Sequence, residues 1–128
     1  MKSFAENEAK TILVVDDEEQ LIIFFEKLLI SEGYKVITAR DGREAVNVYK
    51  SNHTIIDMIL MDIIMPKTNG TESCKELLKI DPNLKILLMS GFPKDSLDGF
   101  EHIHFIRKPI RPTELFRYID EIFDTPKR

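Results

Sequence analysis

Thr11-Ile12-Leu13-Val14-Val15-Asp16-Asp17-Glu18 is an unbroken apolar run that stops on three acids. Five such residues suit a strand and are too few for a helix, and β-branched side chains fit a pleated surface. A run that is apolar at every position, without alternation, describes a strand covered on both faces, the condition of a parallel sheet. Helical spacing follows over 18–31, with Leu21, Phe24, Phe25, Leu28 and Leu29 expected on one face, and Gly33 ends that segment.

The alternation continues outward. Residues 35–39 form a second strand, and Asp41 is placed to cap a helix over 42–52 that turns Ala45, Val46 and Tyr49 inward. Residues 57–61 make the third strand, Pro66 and Gly70 punctuate a loop, and 71–80 is a helix closed by Asp81-Pro82. An almost wholly apolar strand covers 84–89, a weak helix 96–100 and a fifth strand 102–106. Pro112 suits the first turn of a last helix to about 124, with Leu115, Phe116, Ile119, Ile122 and Phe123 turned inward. Five strands alternating with five helices predict an α/β fold, a parallel sheet covered on both faces. Its expected strand order is the flavodoxin-like, doubly wound 2-1-3-4-5.

The totals agree with one such domain. The chain has 128 residues, 43% hydrophobic and 31% charged, which argues against disorder. We expect an N-terminal extension over 1–10, the domain over 11–124 and a C-terminal tail over 125–128. The net charge of −4 disfavours direct nucleic acid binding and attraction to an anionic membrane. Cys74 is the single cysteine, so neither an internal disulfide nor a thiolate zinc site can form, and a cytoplasmic location is expected. The longest apolar stretch, 55–65, is interrupted by Asp57 and Asp62 and is too short to span a bilayer.

The polar residues fall at telling places. The first strand ends in Asp16-Asp17, the third in Asp62, the fourth in Ser90 and the fifth in Lys108-Pro109. Ligands of open α/β sheets bind beyond the carboxyl ends of the strands where the order reverses, here between strands one and three. Three acids gathered there repel one another unless a cation intervenes. Oxygen ligands without His or Cys favour Mg²⁺, or Mn²⁺, which accepts similar ligands. A carboxylate can serve as nucleophile toward a phosphoryl group. Asp62 ends the central strand between the metal side and the Ser90/Lys108 side, so it is the candidate nucleophile. Asp16 and Asp17 are better placed to hold the metal.

Singly, each residue has an ordinary explanation. Asp16 or Asp17 could cap the first helix, Ser90 could be a turn residue, and Lys108 a solvated charge. Their shared end of the sheet is what argues for a site. His53, His102 and His104 lack ligand spacing, and Cys74 is expected to pack inside a helix. The alternative function is an aspartyl-nucleophile phosphatase of the haloacid dehalogenase type. That chemistry requires Asp-x-Asp after the first strand, whereas Asp17 is followed by Glu18-Glu19 and Asp62 by Ile63-Ile64. A flavodoxin-like FMN carrier would need a phosphate loop rich in Gly, Ser and Thr, and residues 16–19 are acidic instead.

With those runs in hand, the sequence resembles the receiver domains of two-component response regulators. The resemblance rests on residues 12–18, on Leu60-Met61-Asp62-Ile63-Ile64-Met65-Pro66 with Gly70, on Met89-Ser90-Gly91, and on Phe105-Ile106-Arg107-Lys108-Pro109. It implies a signalling module in a phosphorelay, whose only enzymatic chemistry is its own phosphorylation and dephosphorylation. It implies that Asp62 accepts a phosphoryl group from the phosphohistidine of a histidine kinase or histidine phosphotransfer protein. It implies that Asp17, Asp62 and the backbone carbonyl of Ile64 ligate Mg²⁺, with Asp16 assisting through a water. Ser90 and Lys108 would contact the phosphoryl group, and Ser90 and Phe105 would form the switch pair. Lys108-Pro109 is expected to be cis. The output face toward a downstream protein would be the fourth helix, fifth strand and fifth helix, on a monomer or a dimer promoted by phosphorylation. Ile64 and Phe92, two residues after Asp62 and Ser90, are apolar, and their bulk is expected to restrict the attacking water and lengthen the phosphoryl lifetime.

Overall fold

The computed structural model describes residues 10–63, 70–91 and 103–124. In chain order its elements are β1 (Thr11–Val15), α1 (Glu19–Ser31), β2 (Lys35–Ala39), α2 (Gly42–Asn52), β3 (Met58–Asp62), α3 (Gly70–Ile80), β4 (Lys85–Ser90), β5 (His104–Arg107) and α4 (Pro112–Asp124). The strands form one parallel sheet in the order β2-β1-β3-β4-β5, as the alternation predicts. Four helices lie among the described residues; the weak helix expected over 96–100 falls outside them, so α4 is the helix counted fifth from sequence.

β1 and β3 are buried at every position, and successive side chains feed two cores. Leu13, Val15, Ile59 and Met61 pack against Ala45 and Val46 of α2 and Cys74 and Leu77 of α3. Ile12, Val14, Met58 and Leu60 pack against Phe25 and Leu29 of α1 and Leu115 and Ile119 of α4. Two helices on each face explain why the central strands carry no alternation.

Two expectations need correction. The third strand is shifted by one residue, so that Asp62 lies inside β3, paired with Met89. Asp57 stays outside because its side chain takes part in the pairing: its N–H donates to the Thr11 carbonyl at 2.8 Å while its Oδ2 accepts the Thr11 N–H at 2.7 Å. The inward face of α1 is centred on Ile22, Phe25 and Leu29, and Phe24 is 44% exposed. At about 100° per residue, a stripe centred between positions 22 and 25 leaves 24 on the far side. The rest of the expected α1 face, Leu21 and Leu28, is half-buried at its flank.

Chain punctuation follows the sequence closely. Asp41 Oδ1 accepts the Glu44 N–H at 2.8 Å and caps α2. Gly33, at φ 94°, ends α1 with its N–H on the Ile30 carbonyl and the Tyr34 N–H on the Leu29 carbonyl.

Gly70 has a different duty. Its N–H donates to the Ile63 carbonyl at 2.8 Å, and a Cβ built there would lie 2.7 Å from the Asp62 oxygen, the Ile63 Cα and the Ile63 oxygen. All three are backbone atoms that cannot swing aside. Gly70→Ala should therefore cost roughly 1–3 kcal/mol of stability, the usual penalty of overpacking. Urea unfolding checks this; a cost within about 0.5 kcal/mol, the range of an ordinary surface substitution, would show that α3 can back away.

Candidate functional site

The sheet brings the acids together because their strands are neighbours. Val15 pairs with Met61 across β1 and β3, so the residues that follow each emerge side by side. Carboxylate oxygens of Asp16, Asp17 and Asp62 lie within 4.8 Å of one another. Asp16 is fully buried and Asp62 nearly so, while Asp17 is exposed.

Lys108 reaches into this cluster from the end of β5. Its Nζ donates to Asp62 Oδ2 at 3.0 Å and stands 4.0 Å from Asp16 Oδ2. Its backbone N–H donates to the Ser90 carbonyl at 2.8 Å, which ties the lysine to the end of β4. The Lys108–Pro109 peptide is cis. Ser90 is buried, one residue beyond the Met89 that pairs with Asp62. Phe105 pairs with Leu88 and is half-buried against the core on the α2/α3 side. The Ile64 carbonyl, Phe92 and His102, all singled out from sequence, lie outside the described residues.

Asp16 is the electrostatic oddity of the site. Its Oδ1 accepts the Glu18 N–H at 3.0 Å, but its buried Oδ2 accepts no hydrogen bond. Burial pushes its carboxyl up to about 6; the Glu18 N–H opposes the rise, the Asp62 charge adds to it, Lys108 opposes it, and Asp17 adds a little more. Lys108 thus faces two buried carboxylates, Asp16 and Asp62, with the exposed Asp17 beside them. A buried acceptor without a donor, inside a cluster of hard oxygens, is the donor set a small divalent cation takes.

Sequence reasoning did not single out the rim. Arg40 Nη2 donates to Glu19 Oε1 at 2.9 Å, and the Arg40 N–H donates to Glu44 Oε1 at 2.6 Å. Arg40 and Glu19 stand 21 residues apart on different elements, with no periodic relation that a sequence could display. Both are well exposed, so their pair contributes little to stability.

The family model described as the response regulator receiver domain matches residues 12–120. The chain belongs to the response regulator receiver domain family. As a receiver domain it is a phosphoacceptor module of two-component signalling, and nothing in its geometry or its relatives favours a haloacid dehalogenase-type phosphatase. It is 34% identical over 119 residues to the chemotaxis protein CheY of Thermotoga maritima, covering 88% of this chain and 97% of that protein. It is 36% identical to the alkaline phosphatase synthesis transcriptional regulatory protein PhoP of Bacillus subtilis, over 83% of this chain but only 45% of that regulator. The receiver domain thus spans under half the length of the transcriptional regulators it matches. Among solved structures, the CheX-CheY-BeF3-Mg²⁺ complex from Borrelia burgdorferi superposes with a TM-score of 0.83 at 29% identity, covering 89% of each chain. No described helix is long and apolar enough to cross a membrane.

Proposed function

We propose that Asp62 is the phosphoacceptor, taking a phosphoryl group from the phosphohistidine of a histidine kinase or histidine phosphotransfer protein. The observation that carries this reading is Lys108 Nζ, 3.0 Å from Asp62 Oδ2 within a trio of acids. In the transfer, an Asp62 carboxylate oxygen bonds to phosphorus, the phosphorus–nitrogen bond breaks, and imidazole leaves. Lys108 holds the acceptor carboxylate in place and offers positive charge where phosphoryl oxygens gather, and the Ser90 hydroxyl donates to one of them.

Asp17 and Asp62, with the Ile64 carbonyl, are the proposed Mg²⁺ ligands, and Asp16 acts through a water; Mn²⁺ accepts the same ligand set. The buried, donorless Asp16 Oδ2 supports a cation here. So do the Mg²⁺ in the Borrelia burgdorferi complex and the Mg²⁺-BeF complex of the Thermotoga maritima response regulator TrrA, which is 30% identical to this chain. When bound, the ion neutralises charge shared by the acceptor carboxylate and the incoming group.

Ser90 and Phe105 form the switch: when the Ser90 hydroxyl moves to the phosphoryl group, Phe105 moves inward. The output face for a downstream protein is β5 and α4 together with the helix expected over 96–100. The unit that performs this is residues 11–124, acting in the cytoplasm on its own phosphoryl group alone, as a monomer or a phosphorylation-promoted dimer. Incubation with acetyl phosphate and Mg²⁺, followed by intact mass, tests the reading. One phosphoryl group per chain is expected, and none after prior EDTA; uptake that ignores EDTA rejects the metal's part.

Ile64 sets the lifetime of that group. An apolar side chain two residues after the acceptor offers the attacking water no hydrogen bond. Ile64→Asn should speed dephosphorylation by up to roughly tenfold, the kinetic equivalent of one hydrogen bond. The decay of phosphorylated protein, followed after donor removal, decides it; an unchanged or slower decay rejects the role.

A further inference from the structure

At the opposite end of the sheet, beneath the strands' first residues, lies a cavity of about 220 Å³ whose lining includes Lys10, His53, Thr54, Asn83, Lys85 and Phe123. It is too large for a single water and smaller than pockets that enclose a drug-sized ligand. Lys10 Nζ stands 5.3 Å and Lys85 Nζ 5.8 Å from the centroid of the same Phe123 ring, so two ammonium groups share one side chain. Lys85 donates to the Ile122 carbonyl at 2.9 Å and to the Phe123 carbonyl at 3.5 Å, where the end of α4 favours a cation. Lys10 has no carboxylate partner among the described residues, only the ring.

Two acids also line the cavity, and three of their four carboxylate oxygens accept hydrogen bonds from the chain itself. Asp57 Oδ2 accepts the Thr11 N–H, Asp81 Oδ1 accepts the Asn83 N–H at 2.9 Å, and Asp81 Oδ2 accepts the Tyr49 hydroxyl at 3.3 Å. The Thr54 hydroxyl and the Asn83 side-chain amide make no hydrogen bond among the described residues. Most of the capacity left in the cavity is donor capacity, from one ammonium, one hydroxyl and one amide beside a second ammonium, with Asp57 Oδ1 the one carboxylate oxygen that accepts nothing among the described residues.

We propose that this cavity binds a small doubly charged oxyanion, a phosphate or a dicarboxylate, held chiefly by Lys10 with Thr54 and Asn83. The site is separate from the acid cluster, since it lies at the other end of the same strands.

The test is an amide chemical-shift titration of the ¹⁵N-labelled full chain without Mg²⁺. Inorganic phosphate and succinate are added in separate arms, against sodium chloride at matched ionic strength. Saturable shifts at the amides of Thr54, Asn83 and Lys85 are expected in at least one arm, and the arm that saturates at lower concentration identifies the anion class. Lys10→Gln, at a half-exposed position that leaves the fold's spectrum intact, should weaken that binding roughly tenfold, as loss of a charge-assisted bond does. Thr54→Val should weaken it by a smaller factor. Shifts that follow ionic strength alone, that persist unchanged in Lys10→Gln, or that are confined to Asp62 and Lys108 would overturn the proposal.

Discussion

Asp62→Asn is expected to abolish phosphoryl uptake from acetyl phosphate and Mg²⁺, whereas Asp57→Asn should leave it within roughly twofold of the parent, because with Asp62 as the proposed acceptor only the first removes a reacting atom. The two acids bracket the same strand. Asp62 closes β3 at its carboxyl end, 3.0 Å from Lys108, and Asp57 precedes its first residue, bound to the Thr11 N–H. Asparagine keeps an oxygen for Lys108 in the first case and for Thr11 in the second. What changes at 62 is the proposed anionic nucleophile; what changes at 57 is one charge at the other end of the strand. Lys108→Met completes the series. It keeps the length of the stem and removes the cation, and it should slow uptake by about 10²–10³-fold, the cost of losing one aligned charge-stabilising donor. Intact mass against time measures all three. Uptake that survives in Asp62→Asn, or disappears in Asp57→Asn, removes the basis for placing the chemistry at this end of the sheet.

The placement of these two acids at opposite ends of β3 was legible before any coordinates, and the reason is geometric. A parallel strand directs its last residue to one end of the sheet, so knowing which residue ends each run places Asp16, Asp17, Asp62, Ser90 and Lys108 together. Helix limits were legible where a side chain or a glycine sets them: Asp41 starts α2, and Gly33 ends α1. Finer facts were not. That Asp57 replaces a ladder bond with its own carboxylate depends on the register between β1 and β3, which no single run displays. That Phe24 faces solvent depends on a rotation of α1 by about one position, and neighbouring apolar residues on that helix mask it. Gly70 stood out as chain punctuation, but its true constraint, backbone atoms 2.7 Å from where a Cβ would sit, follows from the approach of α3 to the end of β3. The depth of Asp16 belongs to the same class. Sequence makes it one of two adjacent acids; only packing makes it the buried one, with Asp17 left exposed.

That burial carries a stability penalty which runs against the usual direction for an acid. The Asp16 carboxyl titrates near 6 in the folded chain, above its ordinary 3.8, chiefly because burial disfavours the charge. The native state therefore binds a proton more tightly than the unfolded chain. This contribution is most favourable below about pH 4 and is lost as pH rises through about 6. Two pKa units correspond to roughly 2–3 kcal/mol, so in EDTA near pH 7 Asp16→Asn should be more stable than the parent by about that amount. Asparagine keeps an oxygen for the Glu18 N–H and carries no charge to desolvate. At about pH 4 the two chains should differ little, since Asp16 is then protonated in the fold. Comparing the two chains, rather than one chain across pH, cancels every other titrating group. Added Mg²⁺ should reverse the order of the benefit: a ligand that binds only the native state stabilises the chain whose carboxylates hold it, so the parent should gain more than Asp16→Asn. Urea unfolding at both pH values, with EDTA and with Mg²⁺, yields all the differences. If Asp16→Asn is the less stable chain in EDTA near pH 7, the buried carboxylate is not the liability described, and the cation has no debt of repulsion to relieve at this site.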